Sequence, residues 1–463
     1  MFKANIYTER REQLREKIKS GLILFLGNQE SSMNYPGNTY PFRQDSSFLY
    51  FFGLDSPGLA GLIDVDENRS VLYGNDVDVE EVVWMGDQPL LKDRARQVGV
   101  KETYPLDKLE KILRQAIRKG RRIHFLPPYR PENCLKIEKL LGISSSLVPD
   151  YASEELIKAV VAQRLIKSKE EIEEIEKAHS LTYEMHTQAM KMAKAGVYER
   201  EIVGQMEGLV FSAGCLTAFP TILTINGQIL HNHYHGNVLQ KGRMVVNDSG
   251  AESSMHYAAD ITRTCPVDGK FSSPQKEVYK IVLNAQKTAI ELMKPGIKFK
   301  DVHLKAAHTI ASGLKELGLI KGNVDDAVKA GAHALFFPHG LGHPMGLDVH
   351  DMEDLGEKYV GYDETVKKSQ QFGLAALRFA KPLKSGYVLT VEPGVYFIPK
   401  LIDKWKEDKK NTQFIDYQKV EKYRDFGGIR IEDDVLVTNE GARVLGKPIP
   451  KEVEEVEEIT ATE

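Results

Sequence analysis

The stretch FPHGLGHPMGLDVHD, from Phe337 to Asp351, holds three histidines, His339, His343 and His350, and two aspartates within fifteen residues. Pro338, Gly340, Gly342, Pro344 and Gly346 are interspersed among them, and that density of glycine and proline excludes a regular helix. His339 and His343 have the four-residue spacing of a helical zinc pair, but the glutamate of an HExxH helix is missing between them. The segment reads instead as a loop leading into a strand. One of its imidazoles can hold a metal ion while the others donate to a carbonyl oxygen or pass a proton to a departing amine.

Acids recur in stretches that otherwise read as buried strands. Alternation sets Met244, Val246 and Asp248 on one face of RMVVNDSG, Val388, Thr390 and Glu392 on one face of VLTVEPGVYF, and Arg430, Glu432 and Asp434 on one face of GIRIEDDVLVT. A buried isolated carboxylate is costly, so such acids must be paired or must bind metal. Asp248 and Asp260 lie twelve residues apart on consecutive strand candidates, and the small and polar residues of SGAESSMHYAA between them suit a hairpin that brings both together. These two acids, Glu392, Glu432 and one histidine exceed what a single divalent ion requires. A pair of ions bridged by carboxylates fits that excess, and hard oxygen donors favour Mn²⁺ over a thiolate-loving metal.

The elements that must position these groups divide the chain in two. With 463 residues, 42% hydrophobic and 28% charged, the sequence has a globular composition and enough length for two cores. In the first third a charged helix near Arg10 to Ser20 precedes the strand candidates GLILFLG, FLYFFGL and AGLIDVD, an α/β pattern. Ser168 with Glu171 three positions on forms a capping box opening a long polar helix. We therefore expect an N-terminal α/β domain over residues 1–155 and a second domain over 156–463. Beyond Leu230, four strand-like runs with intervening helices such as SPQKEVYKIVLNAQKTAIELMK suggest α+β. The acidic tail KEVEEVEEITATE is expected as a terminal helix or a solvated end.

Lys plus Arg number 62 against 66 for Asp plus Glu, a net charge of −4 that gives no electrostatic case for a nucleic-acid partner. Cys134, Cys215 and Cys265 are widely spaced and suit a reducing compartment. The N-terminus lacks the apolar run of a signal peptide and no later segment has the apolar length of a membrane span, so no membrane association and a cytoplasmic location are expected.

Taken together, NDSG, ADITRTCPVDGKFS, HGLGHPMGLDVHD, TVEPGVYF and GGIRIEDD resemble the proline-specific metallo-exopeptidases of the pita-bread fold, Xaa-Pro aminopeptidase (aminopeptidase P) and Xaa-Pro dipeptidase (prolidase). YPFRQDSSFLYFFGL is similar to the amino-terminal domain of the same family. The resemblance implies a pita-bread catalytic domain of α+β class behind an α/β domain. It also implies Asp248, Asp260, His343, Glu392 and Glu432 as ligands of two divalent ions, with Asp260 and Glu432 bridging, Mn²⁺ the expected metal and Co²⁺ or Zn²⁺ the alternatives. His231, His339 and His350 would surround the reacting peptide bond, Arg430 would brace the ligand shell, and Glu392 would take the proton of a hydroxide-forming water that attacks the carbonyl.

The implied substrates are peptides with Xaa-Pro at the N-terminus, cleaved by a homodimer or homotetramer. Trp84 would reach a neighbouring subunit's site, against the alternative of a buried core tryptophan. Arg378 would read a substrate carboxylate, a prolidase trait shared by the long segment from Ile398 to Phe426; YPFRQDSSF leans to the aminopeptidase side. Prolidase is thus the alternative activity, and a pita-bread binding protein without catalysis a further one. Only His231 of LHNHYHGN matches the family position, so His233 and His235 are expected as exposed loop residues. Cys265 is expected as a packed thiol.

Overall fold

The computed structural model describes residues 1–461. The chain forms two compact units, Met1–Arg164 with Met352–Tyr359, and Leu165–Asp351 with the chain from Val360 onward. The expected division between residues 155 and 156 falls inside the helix Glu154–Arg164. That helix is fastened to the first unit by its last two residues: Gln163 Nε2 donates to Arg10 O at 2.9 Å and Arg164 Nη1 to Ser47 Oγ at 3.0 Å.

The first unit carries strands β1 (Leu22–Leu26), β2 (Ser32–Tyr35), β3 (Asn38–Thr39), β4 (Ala60–Asp64), β5 (Arg69–Tyr73), β6 (Glu102–Tyr104) and β7 (Ile123–His124). β2 and β3 pair apart, and the rest form one sheet in the order β6-β5-β4-β1-β7, antiparallel at its centre and parallel at its edges. Leu22, Leu24, Leu62, Val71 and Tyr73 pack against Leu109 and Leu113 of the amphipathic helix Lys108–Arg118. The charged helix near Arg10 begins earlier than expected, at Ala4, and ends at Lys17.

The expected strand in FLYFFGL is instead a helix, Ser46–Phe52. Asp45 accepts from Phe48 N at its start and Gly53, at φ 63°, ends it in the left-handed region. All seven of its residues are buried, so no amphipathic period betrays the helix, and a short apolar run is ambiguous without its caps.

The second unit carries β8 (Ile222–Thr224), β9 (Met244–Ser249), β10 (Ile261–Pro266), β11 (Val388–Val391), β12 (Gly394–Tyr396), β13 (Gly428–Arg430), β14 (Asp433–Val437) and β15 (Ala442–Val444). They form the sheets β10-β9-β8, β11-β14-β15 and β12-β13. β9 and β10 make the expected hairpin, with Asp248 opposite Thr262. The two long strands read from VLTVEPGVYF and GIRIEDDVLVT are each interrupted, at Glu392–Pro393 and at Ile431–Glu432. Pro393 has no N–H to give the ladder, and Glu432 N turns to Thr262 O at 3.0 Å, tying this hairpin to β10.

The helix Lys169–Met192 opens with the expected Ser168 and Glu171 capping box. The tail forms the helix Val453–Ala461, with Val453, Val456, Glu457 and Thr460 buried; Thr462 and Glu463 lie outside the described residues. The glycine-rich segment after Phe337 does not lead into a strand. It lies along β11, where Glu392 N donates to Leu341 O at 2.8 Å, Thr390 N to His343 O at 3.0 Å and Met345 N to Val388 O at 3.1 Å. Gly342 permits that approach, since a Cβ there would stand 1.9 Å from Thr390 O.

Candidate metal centre and active site

A cavity of about 210 Å³ in the second unit is lined by Asp248, Asp260, His343, Glu392 and Glu432 together with His231, His350 and Arg378. Strand alternation accounts for the acids. Thr262 faces Asp248 across the β9–β10 pair, and Asp260, two residues before Thr262, projects from the same face. Glu392 and Glu432 occupy the two opposed interruptions between β11 and β12 and between β13 and β14. Ligand atoms of Asp260, His343 and Glu432 all lie within 4.8 Å of one another. His343 Nε2 is 3.5 Å from Asp260 Oδ2 and 3.6 Å from Glu392 Oε1.

Asp248 lines the same cavity, but its Oδ2 is engaged by Arg430 Nη2 at 2.6 Å. Arg430 also donates to Thr262 Oγ1 at 3.1 Å and Tyr396 OH at 2.8 Å. Thr262 Oγ1 in turn donates to Glu432 Oε2 at 2.6 Å. The arginine thus braces Asp248 directly and Glu432 through one hydroxyl.

The electrostatics are those of carboxyl groups crowded together and buried. Burial pushes Glu392 up to about 7, and burial followed by the charge of Asp248 raises Asp260. Burial and then Asp260 raise Glu432. Burial lowers His343 to about 3, so the ring is neutral. Its Nδ1 lies 3.2 Å from Pro344 O; since a carbonyl only accepts, Nδ1 carries the proton and the Nε2 lone pair faces the acids. Asp248 Oδ1 and Asp260 Oδ1 are buried and have no hydrogen-bond partner. Orphaned buried carboxylate oxygens beside a ligand-ready imidazole fit hard divalent cations.

His339 is held by a second chain of bonds. Its Nδ1 lies 2.8 Å from Gly340 O and its Nε2 2.9 Å from Tyr396 OH. Burial lowers His339 to about 3 and raises Tyr396 to about 12, so the tyrosine hydroxyl donates to a neutral ring while accepting from Arg430. Glu392 Oε2 is 3.7 Å from His339 Nδ1. His350 packs on His343 with ring centroids 4.2 Å apart, and Arg378 Nη1 donates to His350 Nε2 at 3.4 Å.

Tyr396, Thr262 and Thr390 were not singled out by sequence. Thr390 Oγ1 lies 3.4 Å from Glu392 Oε1 and accepts from His343 N at 3.1 Å. The signal was present: Thr390 and Glu392 share a face, as do Asp260 and Thr262. His233 is exposed as expected yet lines the cavity, and His235 is half-buried, with Nδ1 3.2 Å from Leu223 O, because the loop folds back on β8. Cys265 is a buried free thiol raised to about 12 by burial. Trp84, on the first-unit helix Val79–Met85, is 80% exposed and so no core residue.

Residues 173–439 match the model of metallopeptidase family M24, and residues 7–124 that of the aminopeptidase P N-terminal domain. The chain belongs to metallopeptidase family M24. Among relatives, the human Xaa-Pro dipeptidase is 32% identical, with 96% of this chain and 90% of that protein covered. The Xaa-Pro aminopeptidase of Haemophilus influenzae is 31% identical, with 98% and 96% covered. Among solved structures, zinc-substituted E. coli aminopeptidase P in complex with product superposes with a TM-score of 0.80 at 28% identity, covering 99% of this chain and 98% of that one. The aminopeptidase PepP of Pseudomonas aeruginosa gives 0.82 at 27% identity with the same coverages. The architecture is that of aminopeptidase P, an α/β amino-terminal domain and an M24 catalytic domain of mixed helix and strand. No described helix is long and apolar enough to cross a membrane.

Proposed function

We propose that this chain is a dimetal-dependent exopeptidase that releases the N-terminal residue from peptides with proline in second position. The observation that carries the metal centre is the convergence of Asp260, His343 and Glu432 beside the orphaned oxygens of Asp248 and Asp260. Asp248, Asp260, His343, Glu392 and Glu432 are assigned as the ligands. Four carboxylates to one imidazole favour Mn²⁺, with Co²⁺ or Zn²⁺ as substitutes. Two divalent cations, when bound, supply Lewis-acid polarisation of the scissile carbonyl and acidify the attacking water.

The side chains do the rest. Glu392, which lines the cavity with the other ligands and has Thr390 Oγ1 3.4 Å from its Oε1, is the carboxylate placed to accept the proton of the attacking water. His231, which lines the cavity, orients the carbonyl oxygen; His339, with Nδ1 donating to Gly340 O and Nε2 accepting from Tyr396, is held beside Glu392 by the Arg430–Tyr396–His339 chain. The proton taken by Glu392 passes to the departing nitrogen by way of His350, which lines the same cavity. An Xaa-Pro bond has no N–H, so a site that protonates the nitrogen instead of gripping its hydrogen suits this bond.

The alternative is a dipeptidase. Arg378 lines the cavity beside His350, where its fork could hold a dipeptide carboxylate. Turnover of Ala-Pro against Ala-Pro-Ala separates the two: cleavage of the tripeptide supports the aminopeptidase, and cleavage of the dipeptide alone replaces it with prolidase.

We further place the protein in the cytoplasm, supported by Cys134, Cys215 and Cys265 remaining free, and as a homodimer or homotetramer. The support for assembly is the helix Val79–Met85, whose Val79, Val83, Trp84 and Met85 are all exposed, a patch that a second copy would cover. Sedimentation equilibrium tests it; a monomer at micromolar concentration would remove Trp84 from any role in a neighbouring site.

A further inference from the structure

Behind the candidate ligands lies a buried polar network that the chemistry above does not use. Alternation turns Thr262 and Glu432 toward the cavity and the next residues, Arg263 and Asp433, away from it. Arg263 Nη2 donates to Asp433 Oδ1 at 2.6 Å, and its Nη1 to the backbone oxygens of Glu432 at 2.6 Å and Thr262 at 3.0 Å. Lys451 Nζ donates to Asp433 Oδ2 at 2.5 Å and Gln286 Oε1 at 2.9 Å. Gln286 Nε2 donates to Asp433 Oδ2 at 3.1 Å and to the backbone oxygen of Val391 at 3.3 Å. Pro450 O and Ile449 O complete the arginine's bonds.

The backbone atoms gripped are those of Glu432 itself and of the residue before Glu392. Glu432 stands in the interruption between β13 and β14, and Val391 ends β11 opposite Asp433, immediately before the interruption at Glu392–Pro393, so side chains grip the backbone beside both breaks. Burial alone would raise the Asp433 carboxyl, but Arg263 and then Lys451 outweigh it and hold the group below its ordinary value. One acid is thus shared by two cations, one from β10 and one from the stretch leading into the C-terminal helix. Gln286 adds the helix Ser273–Leu292 to the same point.

We propose that Arg263, Gln286, Asp433 and Lys451 form a clamp that sets the spacing of Glu392 and Glu432, so that the C-terminal segment tunes the affinity of the metal centre. This rests on the metal-centre reading above. The four are positioning residues, acting through the backbone of the ligands. A ligand pair must be held to within about 0.5 Å for tight binding, and loss of the groups that orient metal ligands characteristically weakens affinity by about ten- to a hundred-fold.

The test uses the full-length protein, stripped with chelator and titrated with Mn²⁺ by calorimetry, with thermal midpoints measured in parallel. Binding by the unaltered protein tests the metal centre itself, so failure there is distinct from failure of the clamp. Lys451→Met and Gln286→Leu should each bind Mn²⁺ at least about ten-fold more weakly, with Lys451→Arg restoring affinity. Lys287→Met breaks the exposed Lys287–Glu452 pair at 2.6 Å, between the same helix and tail, and should bind as the unaltered protein does. Lys451 is 22% exposed at its side chain, and its replacement is the milder of the two; either clamp variant suffices if the other does not fold. Affinities within about two-fold of the unaltered protein in the folded clamp variants, whatever their thermal midpoints, would overturn the proposal.

Discussion

Replacing Arg430 by methionine should destabilise the metal-free protein far more than the metal-loaded one. The guanidinium is 3% exposed and bonds Asp248 Oδ2 at 2.6 Å, Tyr396 OH at 2.8 Å and Thr262 Oγ1 at 3.1 Å. Without metal, its removal leaves Asp248 as an uncompensated buried carboxylate among three others, a loss of about 3–5 kcal/mol. With cations bound, Asp248 is neutralised from the other side. The bonds to the two hydroxyls and a long one to Leu230 O at 3.5 Å are then lost, about 2 kcal/mol together. Mn²⁺ should therefore stabilise the variant more than the unaltered protein by about 1–3 kcal/mol, the difference between those two losses. By linkage this equals an affinity gain of about five- to 150-fold. Urea unfolding of both proteins, with chelator and with saturating Mn²⁺ at a pH above the Glu392 value of about 7, reads it. Equal losses with and without metal would refute the electrostatic account of Arg430.

Three other outcomes are expected. Glu392 is raised by burial from 4.5 to about 7, and Asp260 and Glu432 are raised as well, so in the metal-free protein these acids hold protons that the unfolded chain releases: stability falls as pH rises through that window. Mn²⁺ must displace the same protons, so its affinity should fall as pH drops below about 7; calorimetric affinity independent of pH there would contradict the shifts. Gly342→Ala, whose Cβ would stand 1.9 Å from Thr390 O, should displace His343 and lower Mn²⁺ affinity at least about ten-fold, checked by titration; unaltered affinity would show that the close approach is not needed. Trp84→Ala, at an 80% exposed position, should leave the chain's Mn²⁺ affinity unchanged while reducing kcat/KM for Ala-Pro-Ala; unchanged kinetics would remove it from substrate binding.

The acids of the site were legible because each breaks an apolar alternation: Asp248 ends the row of Met244 and Val246, and the hairpin placing Asp260 beside it follows from the small residues between. The glycines and prolines of FPHGLGHPMGLDVHD excluded a helix but did not reveal its course along β11, since that path is set by backbone bonds to Val388, Thr390 and Glu392, residues nearly fifty positions away in some pairs. The buried helix Ser46–Phe52 was illegible for a local reason, having apolar residues on every side. The interruptions at Pro393 and Glu432 combine both causes. Proline signalled the break, but only the partner strand and Thr262 show that the break is what turns Glu392 and Glu432 into the cavity. Polar residues that meet only in three dimensions, Tyr396 with His339 or Lys451 with Asp433, leave no mark in spacing.

The most direct measurement strips the protein with chelator, then adds Mn²⁺ while recording ions bound per chain and the rate of Ala-Pro-Ala cleavage. Two ions per chain, with cleavage absent before addition and restored as the sites fill, is the predicted result. Cleavage at full rate by the metal-free protein, or no uptake of cations at saturating supply, would contradict it.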